Sequence, residues 1–334
     1  MSLRVFVFLM LSLNAFAQWQ MQASDTKESL RGLSVVDENT VWASGTHGTY
    51  MVTTDGGKNW TSGHVPGTES LDFRGVKAFG AEAFLLAAGP GEQSRIYHSL
   101  DSGQHWELQF TNHEPKGFLD CMAFSDKRHG IVIGDPVNGK FQILHTDDGG
   151  RNWRYADPKN MPAALEGEGA FAASNSCIAV NGKGDVWFVT GGTAARVFHS
   201  SNGGASWTIT ETPILHGAAS QGIFSVAFRD SIHGVVSGGD YAHPDQGGKN
   251  LAITDDGGRT WKLAPISPQK YFSAIAYDSR NSILALGSAA SAFSRDGLRT
   301  WDFFQPTGFN TVASSHGVIY AVGANGAVGR ISPK

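Results

Sequence analysis

One eight-residue pattern, Ser/Thr-x-Asp-x-Gly-x-x-Trp, recurs along the chain and restricts its fold more than any other feature. It stands intact at Thr53 to Trp60, Ser99 to Trp106, Thr146 to Trp153 and Thr254 to Trp261. Two copies are altered: Asn202 replaces the Asp in Ser200 to Trp207, and Leu298 replaces the Gly in Ser294 to Trp301. The acidic or Asn positions, Asp55, Asp101, Asp148, Asn202, Asp256 and Asp296, lie 46, 47, 54, 54 and 40 residues apart. A period of that size is one four-stranded unit of a radially repeated β architecture.

The pattern has a physical reading as a hairpin turn. The Asp or Asn side chain accepts hydrogen bonds from backbone N–H groups just ahead of it, and the Gly allows the positive φ the reversal needs. Trp60, Trp106, Trp153, Trp207, Trp261 and Trp301 then lead the outgoing strand and are expected to be buried under the turn. Burying 150–250 Å² of aromatic surface is worth on the order of 4–6 kcal/mol before entropy is counted. These twelve positions are therefore structural staples.

Two further strands precede the turn in each unit. In the third they read Cys121 to Phe124 and Ile131 to Ile133, with a loop at Gly134 to Gly139 before the strand Phe141 to His145. In the fifth they read Ser225 to Phe228, Val235 to Ser237 and Leu251 to Ile253. After the last pattern, Phe309 to Ala313, Gly317 to Val322 and Gly326 to Ile331 supply three strands of a seventh unit that has no fourth. Trp19 to Gln22 looks like the missing Trp-led strand. The expected fold is all-β: a seven-bladed β-propeller of four-stranded blades, closed by the N-terminal strand pairing into the last blade.

Arg4, the apolar run Val5 to Leu13 and Ala15-Phe16-Ala17 read as a secretory signal over residues 1–17, leaving residues 18–334 as one domain in the periplasm or outside the cell. The apolar run is too short to span a bilayer, and no later stretch approaches the ~20 residues needed. With 26 basic and 30 acidic residues and no run of like charge, nucleic acid is not the expected partner. Cys121 and Cys177 occupy equivalent positions of successive units, so they should lie roughly 10 Å apart, as packing residues rather than a bridge, unless they sit close to the axis.

The eight-residue pattern resembles the Asp-box, or bacterial neuraminidase repeat. The starts Leu30-Arg31-Gly32-Leu33 and Phe73-Arg74-Gly75-Val76 further resemble the photosystem II stability and assembly factor-like propellers, as do Gly134 to Lys140, Glu166 to Asn175 and Gly238 to Tyr241 for a bacterial branch of them. That resemblance implies a non-enzymatic scaffold. It also implies an Arg-rich partner-binding patch. The matching first-strand position here reads Arg31, Arg74, Asp120, Ser176, Phe224, Ser273 and Asn310, so only two of the seven are Arg.

In a propeller the loops entering each first strand and those joining the second and third strands share one face around the channel, opposite the Asp-boxes. Candidate contacts on that face are Arg31, Arg74, Asp120, Asp135, Asn138, Glu168, Asn175, Asp240 and Tyr241. The expected role is binding of a protein, or of a small or glycan ligand, by a monomer, with no cofactor or metal and no catalytic residue. The alternative is sialidase-like glycoside hydrolysis, which needs an Arg cluster, a carboxylate-activated Tyr and an acid. Arg31, Arg74, Tyr241, Glu168 and Asp240 could supply those roles, but the Phe-Arg-Ile-Pro signature is absent. His98, His145 and His199 recur ahead of three boxes and, as equivalent positions on separate blades, read as repeat structure rather than metal ligands.

Overall fold

The computed structural model describes residues 19–278, 281–305 and 308–331. The signal segment assigned to residues 1–17 lies outside them. Among the described residues the strands form seven sheets, six of four strands and one of six. Their first strands are Leu30–Val35, Phe73–Phe79, Leu119–Phe124, Ile178–Val180, Ala218–Phe228, Ala274–Tyr277 and Phe309–Ser315. Each packs against the first strand of the next blade, and the last against the first, so these strands form the axial ring.

The ring is closed as the orphan strand predicts. Gln20–Gln22 pairs antiparallel with Val328–Ile331 in the last blade, in the register Gln20 to Arg330, Met21 to Gly329 and Gln22 to Val328. Trp19 is buried against Phe309 and Phe304, with ring centroids 4.9 and 5.8 Å away. It fills the place the box Trp fills in other blades.

All six box turns share one hydrogen-bond scheme. The hydroxyl of Thr53, Ser99, Thr146, Ser200, Thr254 and Ser294 accepts from the N–H four residues on, and the Asp or Asn oxygen caps the backbone N–H one residue before the Trp. Leu298 takes the Gly role with φ 68° and its side chain buried, a left-handed conformation costly for Leu. Burial of the six Trp is uneven, contrary to expectation: Trp60, Trp153 and Trp207 are buried, but Trp106, Trp261 and Trp301 are only partly so. Each of the latter packs against another ring, Trp106 edge-on to Tyr50 and Trp42, Trp261 edge-on to Phe228 and Trp301 on Phe272.

Two further expectations are corrected. The loop expected at Gly134 to Gly139 is strand: Gly130–Val137 and Lys140–Thr146 run together to a two-residue turn at Asn138 and Gly139, both at positive φ, the turn geometry that matches strand twist. Cys121 and Cys177 are joined by a disulfide with Cα atoms 6.1 Å apart. Blades are wedges, and at the axis their inner strands approach more closely than the sheet-packing distance found further out.

Candidate functional site

The side chains at the channel mouth are set by one repeated irregularity. In five blades the pairing of first and second strands slips by one residue, between Leu30 and Gly32, Phe73 and Gly75, Leu119 and Cys121, Ile223 and Ser225, and Phe309 and Thr311. The residue in each slip is Arg31, Arg74, Asp120, Phe224 or Asn310. A bulge re-aims the side chain of its extra residue. Together with Ser273, Arg31, Arg74, Phe224 and Asn310 line one cavity of about 450 Å³, within the range of small-ligand sites. Phe171, Ala172, Ala173, Tyr241, Tyr271 and Ser288 complete its wall.

The floor is supplied by the chain itself. The segment 166–176, entering blade 4, crosses the axis and is pinned from several blades. Arg74 Nη1 donates to Ala172 O at 3.2 Å, Thr311 Oγ1 to Ser174 O at 3.0 Å, and Ser174 Oγ to Ser273 O at 2.8 Å. Asn175 completes the plug: at φ 57° it accepts from Met122 N at 2.8 Å and donates to Met122 O at 3.1 Å, as a neighbouring strand would. Gly75 leaves room for it, since a Cβ there would stand 2.7 Å from Asn175 Oδ1. Phe171 lies flat on Phe224 with centroids 3.9 Å apart, and Tyr241 meets both rings edge-on.

The candidate carboxylates fall into different environments. Asp120 is fully buried, and burial first, then neighbouring Asp135, pushes its carboxyl well above the usual value against the pull of Arg74. Asp135, also raised by burial, accepts from Ala170 N at 2.9 Å and so holds the entry to the plug. Glu168 has a side chain with no exposed surface: its Oε1 accepts from Arg196 Nε at 2.8 Å and Thr190 Oγ1 at 2.6 Å, and its Oε2 from Leu165 N at 2.9 Å and from Arg196 Nη2. Asn138 is exposed at a hairpin tip. Burial would raise the Asp240 carboxyl, but hydrogen bonds from His243, Ser220, Gln221 and Ala242 hold it below the usual range. Tyr241 stands half exposed beside it.

The structure thus brings Arg31, Arg74 and Tyr241 to one mouth and commits Asn175, Asp135 and Glu168 to supporting the plug. Sequence reasoning missed Asp72, Phe171, Tyr271 and Arg196. Asp72 and Tyr271 each stand two residues before a first-strand position already singled out, and that offset was the available signal. His98 stacks on Phe84 and pairs with Glu82, and His199 stacks on Trp187 and pairs with Asp185, both within their own blades. Among the described residues no His, Cys, Asp and Glu cluster could hold a metal ion, and no helix is long and apolar enough to cross a membrane.

Fold and site together define a seven-bladed propeller of Asp-box repeats whose axial mouth is a plugged, basic and aromatic pocket. The chain resembles the photosystem II assembly factor propellers: the family described as photosynthesis system II assembly factor YCF48 matches residues 11–117. The photosystem II assembly lipoprotein Ycf48 of Synechococcus sp. (strain CC9902) is 24% identical over 271 residues, 78% of this chain and 71% of that protein. Among solved structures, YCF48 bound to D1 peptide is 18% identical, covering 96% of this chain and 98% of that one with a TM-score of 0.71. YCF48 from Cyanidioschyzon merolae is 17% identical over 95% and 99%, with a TM-score of 0.68. A virginiamycin B lyase from Staphylococcus aureus reaches 0.67 at 13% identity over 95% and 100%. Enzymes and assembly factors share this architecture, so function must be read from the site.

Proposed function

We propose that this chain is an exported, non-catalytic binding propeller of one domain, residues 18–334, that holds a segment of a protein partner at the channel mouth. The observation that carries this reading is the convergence of four bulge side chains and Ser273 on one pocket containing Arg31 and Arg74. Guanidinium groups suit carboxylates because their fork of donors matches two oxygens. The similar assembly factors, one of them solved with a peptide of D1, support a peptide as the kind of ligand. The name of the Synechococcus relative, a lipoprotein, fits an exported location.

Hydrolysis finds less support at the same mouth. Glu168 is held by Arg196, Thr190 and Leu165, and Asp240 by its own turn, so neither carboxylate is free to activate Tyr241. The test is recovery of the partner from the periplasmic or secreted fraction on immobilised mature chain, beside the Arg31→Ala variant. Retention in wild type and loss in the variant is expected. Turnover of sialosides or other glycosides that disappears in Tyr241→Phe would replace the scaffold reading with an enzymatic one.

A further inference from the structure

The two guanidiniums at the mouth are not equivalent. Arg74 Nε donates to Asp72 Oδ2 at 2.8 Å and its Nη1 to the plug, so its donors are directed inward. Arg31 Nε stands 4.0 Å from the same Asp72 oxygen, beyond hydrogen-bond reach. That Nε and Asp72 Oδ1 are both buried atoms without a hydrogen-bond partner among the described residues. A buried donor left unsatisfied carries a desolvation cost that an incoming acceptor relieves.

The surroundings of Arg31 define the rest of the ligand. The cavity wall holds Phe171, Phe224, Tyr241 and Tyr271, with Phe224 and Tyr271 packed edge to face at 4.9 Å. Ser273, Ser288 and Asn310 place small polar groups beside them. Asp72 Oδ2 lies 4.0 Å from Arg31 Nε and 2.8 Å from Arg74 Nε, and burial, then the neighbouring Arg74, depresses the Arg31 guanidinium against the pull of Asp72. A flat apolar body with one attached anion complements four aromatic rings and one unsatisfied guanidinium.

Resting on the partner-binding role proposed above, we infer that Arg31 anchors one carboxylate carried next to an aromatic ring, and that the nearby charge of Asp72, held by Arg74 and out of hydrogen-bond reach of Arg31, opposes that carboxylate and weakens the anchor. Arg74 is a positioning residue that keeps Asp72 and the plug in place. Asp72 therefore sets how strongly the mouth holds an anion and favours ligands whose ring also gains contact with the aromatic wall.

The experiment uses the mature chain and 3-phenylpropionate, with 3-phenylpropionamide and propionate as paired controls, read by calorimetry. 3-Phenylpropionate is expected to bind at least about ten-fold more tightly than either control. Arg31→Ala should lose roughly ten-fold or more, and Arg31→Lys, which keeps the charge but not the fork, a smaller factor. Asp72→Asn, which still accepts from Arg74, should tighten the acid several-fold and leave the amide unchanged. Equal binding of acid and amide, indifference to Arg31→Ala in a variant that melts like wild type, or weaker acid binding in Asp72→Asn would each overturn the inference. A short peptide with a free C-terminal Phe, set against an end-blocked peptide with an internal Phe-Asp, distinguishes a chain end from a side chain as the source of the carboxylate. If Arg31→Ala abolishes 3-phenylpropionate binding but leaves partner recovery intact, the reading that the partner is held at this mouth fails and the anchor stands; the reverse result removes the anchor.

Discussion

The indole N–H of Trp60 donates to the side-chain oxygen of Gln22 at 3.0 Å, and Gln22 Nε2 reaches Gly56 O in the same turn. The closing strand of blade 7 is thereby tied to the first Asp-box of blade 1, in addition to its pairing with Val328–Ile331 and the bond from Ser24 Oγ to Gly326 O. Removing residues 18–24 takes away that tie, the buried Trp19 and the last strand of the ring. The melting temperature of the truncated chain should fall by many degrees. A truncated chain that melts with the full mature chain would contradict the closure.

The Cys121–Cys177 bridge closes a loop of 56 residues and fastens the inner strands of blades 3 and 4. Constraint of the unfolded chain by a loop of this length contributes about 4 kcal/mol. Both sulfurs are buried, so reductant should act on them only after opening. Cys121→Ala/Cys177→Ala should shift the denaturant midpoint down by the corresponding amount, while native protein in mild reductant keeps its midpoint over short incubation. An unshifted midpoint in the double variant would show that the bridge adds nothing.

Uneven burial of the box Trp residues predicts uneven loss. Trp153, buried edge-on to Phe124 with centroids 5.8 Å apart, should cost about 3–5 kcal/mol on change to Ala. Trp301 is only partly buried and should cost distinctly less. Chemical denaturation of the two variants checks the order, and equal losses would contradict it.

The box carboxylates predict acid sensitivity. Hydrogen bonds from the Asn59 backbone to Asp55, the His105 backbone to Asp101, the Asn152 side chain to Asp148 and the Thr300 side chain to Asp296 hold each at about 2, below 3.8; Asp256 reaches about 2 through Thr260 against an opposing burial. Depressed folded-state values mean that the native state binds fewer protons than the unfolded chain. Their stabilisation is complete above 3.8 and is lost as pH falls toward 2. The melting temperature should drop through that window, and Asp148→Asn should flatten part of the slope. A flat profile from about pH 5 to pH 2 would refute the role of these turns.

Asp120 should titrate in the opposite sense. Its carboxyl is raised by burial, so the native state favours the protonated acid and ionisation at higher pH works against folding. Asp120→Asn should therefore gain melting temperature relative to wild type as pH rises above the unfolded value. A constant difference across the acid range would place the Asp120 proton elsewhere.

Residues near one another in sequence determined the turn, the blade count and the closure. Thr53, Asp55 and Gly57 specify a hairpin by bonds spanning four residues, and Trp19 carries the same signal without its blade, so local chemistry sufficed. Even the two spacings of 54 residues marked where extra chain lies, in the segments that became the plug and the Asp240 turn. Only the tertiary structure decided what happens at the axis. There seven inner strands separated by tens of residues converge, bringing Cys121 within 6.1 Å of Cys177, turning Arg31 and Arg74 into one pocket, and drawing Glu168 onto Arg196 instead of the surface. Wedge-shaped packing and long-range crossing of the chain set those distances, and no periodicity or turn motif encodes them.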